Sequence, residues 1–576
     1  MLMQSNNSFA SKITLVLPLL IAWAMLHSNP AGAAGTWVPL ANKAPDDIGV
    51  ALLLSDGTVM CSDANSSTNT WYRLTPDAYG SYVNGSWSSL ASANYGRALF
   101  AADVLPDGRV FVAGGEYGTG ITNAEIYDPV ADNWSVVDPP KSLFDPSKGD
   151  IFSDMISIVI PDGRVLMAPV TPRTYGGTLI YNPLSNVWMG GPTLTNGDYD
   201  QDECGWVNLA DGSTLTVDGC AQTSQRYIPS LNQWIPDGNL PVFIWNTVGS
   251  GCEIGPALTL PDGEAFYAGG SGSSALYTPS GNISPGTWRA TPVLPNHLEA
   301  ADSPGAVMVN GKVLMAVATN CFNGGCLSPW HYFEFDYSVG ANGSFTQVSP
   351  PTVGLNSNFI VPWMLDLPDG SVLLLLSLKQ LNVYQPVGSP MAAWKPVINS
   401  ITPKGDGSFH LVGTGLNGVT EGANEGDDGQ MASDYPLVRM TNNATGYVYY
   451  GRTYNWSSTR IQTGTTPEST EFTVPTGLAP GSYSLVVVAN GIASDPVTFY
   501  GPVWVDFTSS CPAPLGFFIC SIFGGGPFPT LAQGAAAVSS GGTIFVKPGS
   551  STEAMPLTIS TPMTIVAPLG PATIGQ

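Results

Sequence analysis

Short apolar runs alternate along this chain with clusters of Gly, Asp, Asn and Pro, and the clusters keep a period. An Asp-Gly or Asn-Gly pair recurs about every 50 residues, at Asp56-Gly57, Asp107-Gly108, Asp162-Gly163, Asp211-Gly212, Asp262-Gly263, Asn310-Gly311 and Asp369-Gly370. Each pair sits between two apolar runs, as in Leu99 to Leu105 before Arg109 to Ala113, or Ile156 to Ile160 before Arg164 to Ala168. That pattern predicts a hairpin with a tight turn, because only residues tolerant of positive φ fit the turn's centre.

Further marks follow each hairpin. A Tyr-x-Pro strand end appears at Tyr127, Tyr181, Tyr227, Tyr277 and Tyr384, with Leu74-Thr75-Pro76 as a variant. A large aromatic residue comes next, at Trp87, Trp134, Trp188, Trp234, Trp288 and Trp394, with Phe345 standing in for it in the sixth repeat. Four strands per repeat and seven repeats predict an all-β, seven-bladed propeller in which an outer ring covers the gap between neighbouring blades. The segment Gly35 to Leu40, with Trp37, looks like a further outer strand and is expected to complete the last blade.

The rhythm changes twice after the repeats. From 396 to 502 the Trp period stops and β-rich segments lead to the run Tyr483 to Val488, the pattern of an immunoglobulin-like β-sandwich. From 503 to 576 short strands such as Thr543 to Val546 and Met563 to Val566 resemble the opening coils of a parallel β-helix. A solenoid of so few coils leaves a face uncovered, so self-association through this segment is a third functional class beside binding and catalysis. The expected organisation is therefore 1–33 signal peptide, 34–395 propeller, 396–502 sandwich and 503–576 β-helix-like segment.

Composition agrees with this architecture: only 11% of residues are charged, while Gly numbers 66 and Pro 49. Lys12, the apolar run Ile13 to Leu26 and the small-residue site Ala31-Gly32-Ala33 read as a secretory signal. Secretion to the exterior or the cell surface, with no membrane span after cleavage, is the expected localisation. In that compartment the eight cysteines favour disulfides. Cys321 with Cys326 and Cys511 with Cys520 are the expected pairs, and the connectivity of Cys61, Cys204, Cys220 and Cys252 stays open. A formal charge of −24 disfavours nucleic acid as a partner.

The propeller followed by a sandwich resembles the kelch-type galactose oxidase and glyoxal oxidase family over roughly residues 37 to 500. The run Cys321-Phe322-Asn323-Gly324-Gly325-Cys326 after the sixth hairpin carries that resemblance, together with Tyr435-Pro436-Leu437-Val438-Arg439 and Asn455-Trp456-Ser457-Ser458. It implies a mononuclear copper held by two tyrosines and two histidines, one tyrosine being cross-linked to a cysteine. Counting back from the turns, the expected tyrosine falls at Leu99, the expected Tyr-His pair at Ala301 and Asp302, and the last histidine at Tyr454, while Ile48 stands near the cross-linking cysteine. Copper-radical chemistry needs phenolate and imidazole donors in one geometry, and these positions do not supply them. Copper is thus not an expected cofactor, and the reading leans away from catalysis.

The same ruler places acids eight or nine residues before the turns, at Asp47, Asp154, Asp202, Glu203, Glu253 and Asp302, with Tyr95 and Arg97 nearby. A ring of carboxylates at one channel mouth calls for a counter-charge. Three readings compete: hydrogen-bonded stitches between blades; a Ca²⁺ held by Asp47, Asp154, Glu203, Glu253 and Asp302; and a carboxylate pair hydrolysing a glycan. Tyr95, Arg97, Asp154, Glu203, Glu253 and Asp302 are the candidate ligand-binding set. The acidic run Glu421 to Gly429 is read as a solvated loop. The function expected overall is that of a secreted recognition or scaffold protein binding an extracellular glycan or protein. A galactose-oxidase-like oxidoreductase or glycan hydrolase at the channel mouth is the enzyme alternative.

Overall fold

A computed structural model describes residues 34–65, 67–120, 122–152, 155–169, 177–195, 201, 204–245, 253–319, 327–352, 362–425, 430–509, 527–554 and 556–575. Blades 1 to 5 are four-stranded antiparallel sheets whose strands follow one another in sequence, beginning at Ile48, Ala101, Ile156, Trp206 and Ile254. Blade 6 holds the strands from Gly305 to Val348, and blade 7 is built from Trp363–Asp366, Val372–Leu375 and Asn382–Gln385.

The fourth strand of blade 7 comes from the other end of the chain. Thr36–Pro39 pairs antiparallel with Asn382–Gln385, matching Trp37 to Tyr384, so the ring closes as the sequence led us to expect. Trp37 takes the outer aromatic position, packing tilted against Tyr384 with ring centroids 4.8 Å apart and donating its Nε1–H to Ser349 O at the end of blade 6. Trp394 was expected in that role. It lies instead in a short 3₁₀ turn, Ala392–Trp394, because the N-terminal strand has already filled the edge.

Local chemistry explains why the repeat is legible. In all seven turns the Asp or Asn side-chain Oδ1 accepts the backbone N–H two residues on. The following glycine has φ between 76° and 90°, which a side chain would oppose. The Tyr-x-Pro tyrosines reach the next turn, with Tyr127, Tyr181 and Tyr227 donating to Asp132, Asn186 and Asn232 at 2.8 to 3.0 Å. Each of those three acceptors has positive φ, so the hydroxyl anchors a bent turn. The tryptophans bridge blades: Trp134 and Trp188 donate to Ala91 O and Val137 O, carbonyls that lie just after the fourth strand of the preceding blade.

Residues from Val397 to Gly501 form an antiparallel sheet system in the order Val397–Pro403, Phe409–Thr414, Pro467–Thr473, Val448–Tyr454, Leu437–Asn442, Gly481–Ala489, Ile492–Ala493, with Val497–Gly501 also paired to Gly481–Ala489. This body docks on the turn face of the propeller through hydrogen bonds to carbonyls of several blades. Thr453 N–H meets Ser55 O, Arg452 meets Asp107 O, Thr459 meets Ile160 O, Arg460 meets Ala210 O, Gln462 meets Leu260 O and Arg439 meets Pro368 O. Beyond it, Val503–Val505, Gly542–Val546 and Met563–Val566 pair in parallel, packed by the short helix Leu531–Ala537. No helix among the described residues is long and apolar enough to cross a membrane.

Candidate functional site

The inner strands of seven blades leave an axial channel, and one segment from outside the propeller occupies it. Gly422–Asn424 and Gln430–Ala432 form a hairpin, and its first strand pairs with blade 6 through Gly305↔Asn424 and Ala306↔Ala423. The hairpin also packs on the inner strands of blades 1, 2 and 7. Gly422 is needed there: its φ is +104°, and a Cβ would stand 2.3 Å from Ser433 Oγ and 3.2 Å from Asp366 Oδ2.

One sequence expectation is corrected by this plug. The acidic run from Glu421 was read as a solvated loop, yet Gly422 to Glu425 are buried inside the channel. Tyr454 belongs to the strand Val448–Tyr454, with Arg452 over its ring at 4.9 Å, while the paired strands Gly422–Asn424 and Gln430–Ala432 are the ones that enter the channel. No histidine occurs between Glu421 and Asp434.

Four carboxylates line the plugged channel. Asp103 on blade 2 accepts from Ser157 of blade 3 at 2.6 Å, and burial raises it to about 7. Asp366 on blade 7 is 3% exposed, has one oxygen without a hydrogen-bond partner, and is raised by burial to about 8. Glu421 accepts the Asn208 N–H at 3.0 Å and is held well above the usual carboxylate range, first by burial and then by the charge of Asp434. Asp434 is itself raised, by burial and by Asp103. A cavity of about 30 Å³ is bordered by Asp103, Asn208, Glu421, Asn424 and Asp434, room for one or two waters.

At the mouth facing away from the Val397–Gly501 sheets, the matched copper positions offer no donor set. Leu99 and Asp302 both sit at φ +46°, and Ala301 is fully buried. Leu99 lines a pocket of about 190 Å³ with Asp63, Arg97, Trp363 and Ser377. The Trp363 Nε1–H, in a residue 5% exposed, has no hydrogen-bond partner there. No local pattern singles out Trp363, because its place beside blades 1 and 2 follows only from ring closure.

The predicted acids and their neighbours are only partly brought together. Asp302 N–H donates to Ile254 O, which sets Asp302 beside Glu253, and both residues are buried. Asp47 is exposed. Asp154, Asp202 and Glu203 lie outside the described residues. Arg97 is no counter-charge for such a ring: its guanidinium donates to the carbonyls of Gly114, Gly120 and Asn123 and pairs with buried Glu125 at 3.1 Å. Tyr95 stands half-buried with that guanidinium 5.9 Å from its ring. Among the described residues, no three His, Cys, Asp or Glu side chains converge as a metal site.

Of the cysteines, Cys61 is a buried thiol and Cys220 is disulfide-bonded. Cys321, Cys326, Cys511 and Cys520 lie outside the described residues.

Comparison with known proteins agrees with the propeller. The kelch motif is matched over residues 97–141, which hold the four strands of blade 2. No curated protein matches the chain. Among solved structures it is similar to a fungal alcohol oxidase of the AA5 family in complex with copper, at 13% identity and TM-score 0.45, covering 81% of this chain and 99% of that one. Virginiamycin B lyase from Staphylococcus aureus is similar at 11% identity and TM-score 0.41, over 61% of this chain and 100% of that one. The extracellular domain of a hybrid two-component system from B. thetaiotaomicron is similar at 8% identity and TM-score 0.40, over 81% and 59%. The sheets and the kelch match together define a seven-bladed kelch propeller.

Proposed function

We propose that this protein is a secreted recognition module whose kelch propeller binds an extracellular carbohydrate or protein. The observation that carries the reading is the chemistry at the channel mouth. Leu99, Ala301 and Asp302 stand where the resemblance calls for phenol and imidazole groups, and the hairpin filling the channel brings no imidazole. These residues do not fit a copper-radical centre, which needs phenolate and imidazole donors. Secretion rests on the leader-like run Ile13 to Leu26 and the site Ala31-Gly32-Ala33. A disc with pockets on both faces offers concave surfaces for recognition.

The test is an array of glycans and cell-surface proteins probed with the purified full chain, together with metal analysis of the same sample. Saturable binding to a glycan or protein is the expected result. Stoichiometric copper with alcohol-dependent peroxide formation overturns the reading, as does the lack of saturable binding to every immobilised ligand.

A further inference from the structure

Where the sandwich meets blades 2 and 3, a cleft of about 530 Å³ opens on the face opposite the channel mouth. Its walls are the blade turns at Asp107 and Asp162 and the outer turn at Pro183 and Leu184, and its floor is the loop Asn455 to Thr459. We propose that this cleft is a binding site for a neutral oligosaccharide of about two or three sugar rings; the proposal rests on the recognition reading above and gives it a place.

The cleft is built rather than incidental. Trp456 N–H donates to Pro106 O at 3.2 Å, and Thr459 Oγ1 donates to Ile160 O at 2.8 Å, so floor and walls are tied at two points. Trp456 is fixed beneath by stacking on Tyr435 at 4.7 Å and 4°. A ligand therefore meets a preformed surface and does not have to order it.

The lining alternates two kinds of group. Pro106, Pro161, Pro183, Leu184 and Met189 supply apolar surface, and Leu184 is 81% exposed. Between them Arg164 spends its Nε and one terminal nitrogen on Asp162, while no described hydrogen bond engages its other terminal nitrogen. Asn455 is exposed, sits at φ +53° and lines the cleft, and beside it the Ser457 hydroxyl accepts the Ser469 N–H at 2.8 Å and keeps its own proton to donate. Sugars carry C–H faces and hydroxyls that both donate and accept, which is the complement of such a surface.

Charge narrows the class. Arg164 is already neutralised by Asp162, and Asp107 by Arg109 at 2.7 Å, so neither an anion nor a cation finds a net counter-charge. Most of the lining consists of turns and loops, with Asn182 and Met189 contributed by the two outer strands of blade 3.

The experiment uses the full chain made in a host that leaves Asn455-Trp456-Ser457 unglycosylated. Saturation-transfer NMR and calorimetry are run with cellotriose, xylotriose, mannotriose, chitotriose and maltotriose. Binding by at least one trisaccharide is expected, with about a tenfold loss in Asn455→Gly. That change removes the amide while glycine accepts the positive φ, so melting is expected to stay unchanged. Ser457→Trp fills the cleft and is expected to abolish binding. Trisaccharide binding unaffected by both variants sinks the cleft site but leaves the recognition reading standing. No trisaccharide binding, or capture of a peptide that Ser457→Trp blocks, overturns the saccharide assignment, and an array with no ligand at all overturns both readings.

Discussion

The propeller holds two populations of carboxylate that face opposite fates. Those of the blade turns accept a backbone N–H from two residues on, and Asp107 and Asp162 add an arginine on the same turn. Those of the channel, Asp103 and Asp366 buried and Glu421 and Asp434 half-buried, surround an inserted hairpin, and no described ion pair gives any of them a lysine or arginine. Where the turn supplies its own donors, an acid is a local staple. In the channel the counter-ion is the proton, because burial disfavours the charged form.

The comparison sets the sign of the pH response. Unfolded carboxylic acids titrate near pH 4, whereas Asp103 and Asp366 titrate at about 7 and 8 in the fold. Between those values the folded chain keeps protons that the unfolded chain has lost, so stability falls as pH rises from about 5 to 8. Each such group contributes about 1.4 kcal/mol per pH unit across its window. Thermal melts at pH 5 and pH 8 are expected to show the higher midpoint at pH 5. A midpoint that rises or stays flat breaks the proposed contrast.

Asp366→Asn sharpens it at a single residue. The amide keeps the shape and cannot ionise, so it is expected to stabilise the protein by roughly 4 kcal/mol more at pH 8 than at pH 5. Denaturant titrations at the two pH values check this, and equal effects at both would show that Asp366 is not a titrating member. Smallest is the turn-side control: Asp56→Ala loses the bonds to Thr58 N and Thr58 Oγ1. A cost of about 1 kcal/mol, the same at pH 5 and pH 8, is expected in the same titrations.

What could be read from the chain followed the same divide between local and distant causes. The Asp-Gly turns, the Tyr-x-Pro anchors and the bridging tryptophans are set by neighbours within a blade or the next one, and their spacing announced seven blades. Gly35 to Leu40 was legible as an outer strand because Trp37 repeats the blade pattern. The channel plug was not legible, since a run of Gly, Asp and Glu is also what a solvated loop contains. Only the pairing of Ala423 with Ala306 reveals that Gly422 to Asn424 lie against an inner strand of blade 6. Trp363 escaped notice for a related reason: its neighbours in the mouth pocket come from blades 1 and 2, across the closure of the ring.

That closure also sets a schedule. Thr36–Pro39 is among the first parts of the described chain to be synthesised, and its partner Asn382–Gln385 is completed only after six other blades. At the usual pace of translation the strand waits on the order of 20–70 s, with its hydrogen-bonding edge open to other chains meanwhile. The disc becomes a closed object only when its oldest described strand meets one of its youngest.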